Sequence, residues 1–306
     1  MALRAIPRFE LSVRLADSSD VAPKVIDNNG LANSISQHIL LLVHGYNNSH
    51  DDAETSYKLF IDNIQNQLGD SREAPDAIAK FHWPGDVSTK LGTTVGYPYD
   101  IQNARDAAQR LAEFLVSLPI PGHGPASLRI TIVGHSMGCR LILEALGGMT
   151  SANAPRIQVV GLMAAASPVG FVEHAGRLFN TGNPSRRMLK FFSEQDTVLQ
   201  DGFPLGQWLA YRLGKEVDNY AKEVGNNAEA VGFHGHPAEF GGAIQRRNKH
   251  GEYWKDAYVV KIMVQAIDST TRTQLPIAET ATRSLPAASE LAERDLPSRT
   301  GPFDRS

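Results

Sequence analysis

Two kinds of hydrophobic pattern alternate along the chain. Between short apolar runs, residues 51–68 and 103–118 place their apolar side chains on one stripe at helical spacing. The runs, apolar without interruption or nearly so, stand at residues 39–43, 77–83, 128–133, 157–166 and 187–192. Strands with apolar residues on both faces are typical of a parallel sheet covered on both sides. The order strand, helix, strand, helix predicts an α/β fold with a mostly parallel central sheet and helices on both faces.

The two ends of the chain depart from this pattern. Residues 9–15 alternate apolar and polar side chains, which predicts a half-exposed strand at an antiparallel sheet edge, with a turn at residues 28–30. Residues 269–306 are rich in Pro, Ser, Thr and charged residues, which predicts a disordered tail. We therefore predict one domain over residues 1–268.

The apolar run at 128–133 leads directly into the sequence Gly-His-Ser-Met-Gly at 134–138. A G-x-S-x-G pattern arises by chance in about one in ten chains of this length, so the pattern alone is weak. Its context is more specific, because a strand precedes it and a segment with helical spacing follows it. Strand, tight turn and helix are what a nucleophile elbow requires, and Ser136 is the predicted nucleophile.

An activated serine also needs donors for the oxyanion that its attack creates. In a nucleophile elbow one donor is the amide after the serine, here that of Met137, at the N-terminus of the following helix. The second donor comes from the loop after an earlier strand, here residues 43–49. Gly45 in that loop lets the backbone approach a ligand, which makes the Tyr46 amide the candidate.

The acid of a serine triad on this fold class follows the nucleophile and stands after a later strand. The run at 187–192 is followed by Ser-Glu-Gln-Asp-Thr-Val-Leu. Asp196 is the leading candidate, Glu194 its nearest alternative and Asp201 a weaker one.

The base comes last in this order, and three histidines follow Asp196. His250 lies in the last loop before a closing helix that we expect to begin near Glu252. His234 and His236 remain alternatives. They could instead bind a metal, but no cysteine or acidic cluster nearby completes a ligand set, so we predict no metal site and no cofactor.

The stretch between acid and base spans 54 positions, longer than a βα loop needs. Residues 197–249 are therefore predicted to carry a small helical cap insertion. Its aromatic residues Phe203 and Trp208 are candidate substrate contacts, as is Trp83 at another strand end. The same aromatic spacing also fits ordinary helix packing.

Composition limits the ligands and the cellular compartment that we expect for this protein. Lys and Arg total 30 against 33 for Asp and Glu, so no basic field favours nucleic acid or anionic lipid. The one cysteine cannot form an intramolecular disulfide, and neither a signal peptide nor an apolar run of membrane-spanning length is recognisable. These features predict a soluble cytoplasmic protein with a small-molecule substrate. They say nothing of its oligomeric state.

Five segments together resemble a bacterial group of lipase-like α/β-hydrolases of largely uncharacterised function. They are LLLVHGYNNS, FHWPGD, ITIVGHSMGCRLILEAL, FFSEQDTVL and HGEYW, and the resemblance covers about residues 38–267. It implies an α/β-hydrolase fold with Ser136 as nucleophile, Asp196 as acid and His250 as base. It also implies that the Tyr46 and Met137 amides form the oxyanion hole.

The expected activity is hydrolysis of a carboxylic ester with a short or medium acyl chain, through an acyl-enzyme. Thioesters and amides could use the same residues. The alternative is a catalytically silent α/β-hydrolase scaffold that binds a small molecule or a protein partner, because fold does not fix function.

Overall fold

An eight-stranded sheet forms the centre of the structure, a computed structural model. The structure describes residues 6–15, 18–34, 36–68, 74–86, 93–118, 128–149, 154–173, 176–182, 186–216 and 229–269. The predicted tail from residue 270 onward lies outside this part of the chain. All described residues belong to one compact unit. The assignment of the whole chain to domains stays a prediction.

The strands run in the order β2-β1-β4-β3-β5-β6-β7-β8 across the sheet. They are β1 (Arg8–Leu15), β2 (Ser18–Asp27), β3 (His38–Val43), β4 (Ala77–His82), β5 (Arg129–His135), β6 (Arg156–Met163), β7 (Arg187–Phe192) and β8 (Gly242–Gln245). All neighbouring pairs are parallel except β1 with β2. The predicted mostly parallel sheet with one antiparallel edge is therefore confirmed. The carboxyl ends of the central strands β3 and β5 meet at one edge, with Val43 opposite Gly134.

Five longer helices occur in the described residues. They are α1 (His50–Leu68), α2 (Thr93–Ser117), α3 (Met137–Gly148), α4 (Phe203–Arg212) and α5 (Ala257–Ser269). The apolar stripe predicted for residues 51–68 is buried, as is the one predicted for 103–118. Among the described residues, no helix combines the length and apolar character needed to cross a membrane.

The closing helix differs from its prediction. Instead of a helix near Glu252, a 3₁₀ turn spans His250–Lys255, and α5 begins after Asp256. The Asp256 side chain accepts hydrogen bonds from the amides of Tyr258 and Val259, as an N-capping residue does. This N-cap at Asp256 therefore fixes the start of α5 and separates the helix from the turn that carries His250.

Candidate active site

Ser136 lies between β5 and α3 in a strained backbone conformation. Its φ is 54° and its ψ is −125°, a combination that non-glycine residues rarely adopt. Space around it is tight: a Cβ at Gly134 would lie 2.4 Å from Ile142 Cδ1, and one at Gly138 would lie 2.2 Å from the His44 carbonyl oxygen. The contact at Gly138 is with backbone, so glycine is required there, whereas the contact at Gly134 is with the end of a side chain that can move. The turn holds the Ser136 side chain above the sheet edge.

Replacing Gly138 with Ala should destabilise the protein. Because the new methyl group meets backbone atoms of the loop after β3, the loop or the elbow must shift, and such overpacking costs about 1–3 kcal/mol or more. Urea unfolding measures this change. The matched control in the same helix is Gly147→Ala, whose Cβ meets only side-chain atoms at 3.8 Å. An unfolding free energy equal in the two variants would contradict this account of the elbow.

His250 faces Ser136 from the turn before α5. Its Nε2 lies 2.9 Å from Ser136 Oγ, and its Nδ1 lies 2.8 Å from Asp196 Oδ2. With Nδ1–H donating to the carboxylate, Nε2 is left as an acceptor for the serine hydroxyl. The structure thus brings the three predicted triad residues into one hydrogen-bonded chain.

Asp196 is held by three donors. Besides the His250 ring, the amides of Val198 and Leu199 each donate to Asp196 Oδ1 at 3.1 Å. The Asp196 side chain is fully buried, and it receives these bonds at the start of a short π-helical turn, Val198–Gly202. Because one oxygen is fixed by backbone amides, the other is aimed at the histidine ring.

The alternative acid and base candidates lie elsewhere. Glu194 and Asp201 are exposed, whereas Asp196 is buried beside His250. His234 hydrogen-bonds Glu229 at 3.0 Å, and its ring lies 6.0 Å from that of His236. Neither of these two histidines replaces His250 in the hydrogen bond to Ser136 Oγ.

Two further contacts fix the backbone around His250. The His135 Nε2–H donates to the His250 carbonyl oxygen at 2.7 Å, and the two rings lie 4.8 Å apart. Burial, reinforced by the nearby His250, lowers the pKa of His135 to about 3, so His135 is a neutral donor. Before the turn, Arg246 and Asn248 both donate to the Asp256 carboxylate that caps α5.

The loop after β3 packs directly on the elbow. A Cβ at Gly45 would lie 2.9 Å from both Ser136 Cβ and His135 Nδ1, so only glycine allows this approach. Tyr46, the next residue, is half-buried at the sheet edge, and Met137 opens α3. The first amides of a helix lack intrahelical acceptors, which suits the Met137 amide for an anion.

His44 and Trp83 hold this loop in place through hydrogen bonds and ring stacking. The Trp83 indole donates to the His44 carbonyl at 2.9 Å, and the two rings stack at 5.5 Å. The His44 Nδ1–H donates to the Gly45 carbonyl, while burial lowers the pKa of His44 to about 3 and keeps the ring neutral. Trp83 is fully buried, so its observed contacts are with the loop, and its predicted contact with substrate stays a prediction.

Of the predicted cap, residues 197–216 and 229–249 are described, and the second stretch contributes strand β8 (Gly242–Gln245) to the sheet. Helix α4 carries both aromatic residues and packs on α2: Phe203 is buried, and Trp208 is half-buried under the Arg212 guanidinium. Leu205 and Leu213, in the same segment, are about half exposed. Residues 217–228 of the predicted cap lie outside the described part of the chain.

Tyr97 is a site residue that the sequence analysis missed. Its ring meets Tyr46 edge-on at 5.4 Å and Phe203 edge-on at 6.5 Å, and its hydroxyl accepts a hydrogen bond from Gln207. Tyr97 therefore connects the loop after β3 to helix α4 of the predicted cap. The only sequence signal was the aromatic cluster Gly-Tyr-Pro-Tyr just before the helical stripe of α2.

A buried ion pair anchors the end of residues 197–216, the first described segment of the predicted cap. Arg140 on α3, four residues after Ser136, contacts Glu216 at 2.8 Å, and both side chains are fully buried. Arg105 on α2 also pairs with Glu216. Residues 197–216 are thus tied to α3, which follows Ser136, and to α2, which packs against α3.

The sequence matches a described family over residues 22–264, which is more than half of the chain. The description of that family is alpha/beta hydrolase of unknown function (DUF900). Among curated proteins, none matches this sequence significantly.

Three solved structures are similar to this chain at low identity. An uncharacterised protein from Bacillus cereus is 16% identical over 78% of this chain and 61% of its own, with a TM-score of 0.42. This chain therefore spans less than two thirds of that protein. A putative hydrolase of the alpha/beta superfamily from Xanthomonas campestris is 13% identical, covering 78% of this chain and 99% of its own, with a TM-score of 0.38. An esterase from Pyrobaculum calidifontis is 13% identical, covering 77% and 76%, with a TM-score of 0.36.

Proposed function

We propose that this chain, which belongs to the alpha/beta hydrolase family of unknown function, is a serine hydrolase that cleaves carboxylic esters. Family membership and fold agree with the resemblance stated from the sequence. The observation that carries the proposal is the chain of two hydrogen bonds, 2.9 Å and 2.8 Å long, that links Ser136 through His250 to Asp196.

In the proposed reaction, His250 Nε2 takes the Ser136 proton as the hydroxyl attacks the ester carbonyl. The Tyr46 and Met137 amides stabilise the resulting oxyanion, and the Asp196 carboxylate stabilises the imidazolium. His250 then donates the proton to the leaving alcohol, which leaves an acyl group on Ser136. Water, deprotonated by the same ring, releases the acid and restores the serine.

The environment of Asp196 supports its role. A carboxylate that is fully buried and bound by two amides cannot rotate freely, so it holds the His250 ring in the tautomer that leaves Nε2 bare. The strained backbone of Ser136 supports the role of the nucleophile, since strain of this kind collects at functional sites.

We assign the acyl side of the site to the aromatic contacts between residues 43–49, which we call the oxyanion loop, and helix α4 of the cap. Tyr46, Tyr97 and Phe203 form a series of edge-to-face ring contacts there, and the half-exposed side chain of Val198 follows the acid on the chain. Such surfaces suit an apolar acyl chain of short or medium length. Trp208 is proposed to extend this surface.

Labelling with a fluorophosphonate probe tests the proposal without knowledge of the substrate. The phosphonate reacts with serines that a base and oxyanion donors activate. We expect one adduct on Ser136, mapped by peptide mass spectrometry, and its loss in Ser136→Ala and His250→Ala. His234→Ala serves as the matched histidine control and should label like wild type.

A panel of p-nitrophenyl esters of increasing acyl length, with thioester and amide counterparts, then defines the substrate class. Fastest turnover of short or medium esters is the expected result. Folded wild-type protein that neither labels nor turns over any of these compounds would favour the silent scaffold instead.

A further inference from the structure

Four metal-binding side chains converge beside α1, outside the residues assigned to catalysis. They are Glu10 on β1, His50 and Glu54 on α1, and His82 at the end of β4. One ligand atom from each lies within 4.8 Å of the other three. Glu10 and His82 are far in the sequence from the pair His50 and Glu54, so no spacing motif revealed the cluster.

The fold explains why they meet. β1 and β4 are paired in parallel, with Ser12 opposite His82, which places Glu10 on the strand next to His82. His50 and Glu54 are four residues apart and share one face of α1. His82 Nε2 lies 2.9 Å from Glu54 Oε1, and His50 Nε2 lies 3.6 Å from Glu10 Oε1.

We propose that Glu10, His50, Glu54 and His82 form a binding site for a divalent transition-metal ion such as Zn²⁺. Two imidazole nitrogens and two carboxylate oxygens make a donor set that Zn²⁺ accepts in a tetrahedral arrangement. Four protein ligands fill that arrangement, so the site is structural and has no open position for a substrate.

The side chains need only small movements to close on an ion. Zinc bonds of about 2.0–2.2 Å place tetrahedral ligand atoms about 3.3–3.6 Å apart. His82 is fully buried and supplies a fixed point. The His50 side chain is 45% exposed and that of Glu10 29%, so both are free to adjust. His50 now stacks on His82 with ring centroids 4.4 Å apart and would rotate to present its nitrogen.

The charges around the cluster suit a dication. Glu10 and Glu54 supply two negative charges, and the Lys80 ammonium contacts both oxygens of Glu54 at 2.6–2.7 Å. In the bound state Lys80 would keep one oxygen of Glu54 while the other binds the ion. One uncompensated negative charge remains to attract the metal.

His82 would bind the ion through Nε2, the ring atom that lies 2.9 Å from Glu54 Oε1. Coordination through Nε2 puts the ring proton on Nδ1. That atom is buried, with no hydrogen-bond partner within the described residues. This cost makes the affinity lower than that of sites whose histidines have a partner.

A bound ion would connect three elements next to the oxyanion loop. His50 is the first residue of α1, directly after the loop of residues 43–49, whereas Glu10 and His82 belong to the sheet. The ion would therefore stabilise the start of α1 against the sheet, and we expect it to raise the thermal midpoint.

Titration of the untagged full-length protein with Co²⁺ tests the proposal, because tetrahedral Co²⁺ absorbs visible light. We expect saturation at one equivalent, displacement by Zn²⁺, and a thermal midpoint that rises with Zn²⁺ concentration. His50→Ala and Glu10→Gln, both at partly exposed positions, should each weaken binding by at least about tenfold. The matched control is His234→Ala, which removes a surface histidine that also hydrogen-bonds a glutamate and should bind like wild type.

Two results would overturn the proposal. One is wild-type protein that shows no stoichiometric Co²⁺ spectrum and no Zn²⁺-dependent stabilisation. The other is wild-type affinity in both His50→Ala and Glu10→Gln, or a loss in His234→Ala as large as theirs. Circular dichroism of each variant establishes that it is folded before titration, and the two ligand variants lie on different elements, so misfolding of one leaves the other decisive.

Discussion

Ser136→Ala is expected to lower kcat for the best p-nitrophenyl ester by about 10⁴- to 10⁶-fold, the largest effect of any single substitution. The methyl group cannot attack the carbonyl, and the remaining amides and binding contacts supply only a small part of the rate enhancement. Stability should change little. Alanine is similar in size to serine, and the strained φ of 54° lowers the free energy of unfolding by a similar amount with either residue.

Steady-state kinetics and the thermal midpoint of the same preparation measure this prediction. Ser117→Ala is the control, because Ser117 ends α2 and its hydroxyl donates to the Phe114 carbonyl oxygen of the same helix. It should keep wild-type turnover. Activity above about one tenth of wild type in Ser136→Ala, after exclusion of contaminating hydrolase, would remove Ser136 from the proposed role.

The sheet was the part of the fold that the sequence predicted best. Each strand of the series β3, β4, β5, β6 and β7 is buried on both faces, and such a strand requires a nearly continuous run of apolar residues. Runs of this kind can be recognised in the sequence alone. β8 (Gly242–Gln245) was missed because it is a short edge strand with exposed residues. Only its pairing with β7 makes it a strand.

The closing helix shows where periodicity fails. A single helix beginning near Glu252 would place Trp254, Tyr258 and Ile262 on one stripe, yet the buried face of α5 begins at Val259 and Val260. The reason is local. The turn at His250–Lys255 has three residues per turn rather than 3.6, and extended Asp256 then starts a new helix, so the two segments do not share one phase.

The candidate site, like the fold, could be predicted from the sequence only in part. The elbow motif and the order of acid and base along the chain limited the choice to a few residues. Which histidine lies beside Ser136 depends on contacts that spacing does not reveal: His135 holds the His250 carbonyl, and Asp256 fixes the loop before it. The same is true of Tyr97 and of the Glu10, His50, Glu54 and His82 cluster, whose members meet only after the sheet has formed.

Asp196→Asn is expected to lower kcat by about 10⁴-fold while leaving the fold intact. The new side chain keeps an oxygen that can accept from the Val198 and Leu199 amides, so the turn after the acid should persist. The other oxygen becomes an amide NH₂, which donates to His250 Nδ1 instead of accepting from it. The ring proton then moves to Nε2, and the atom that faces Ser136 Oγ can no longer take the serine proton.

Glu194→Gln separates this effect from a general loss of charge. It removes a carboxylate from the same loop, two residues away, but at an exposed position. Its kcat should therefore stay within about twofold of wild type, whereas both variants should unfold at nearly the wild-type temperature. If Asp196→Asn kept more than about one tenth of wild-type turnover while Glu194→Gln lost it, the acid role would pass to Glu194. A loss in Asp196→Asn alone, without loss of stability, would instead mean that this buried carboxylate acts through the tautomer of His250.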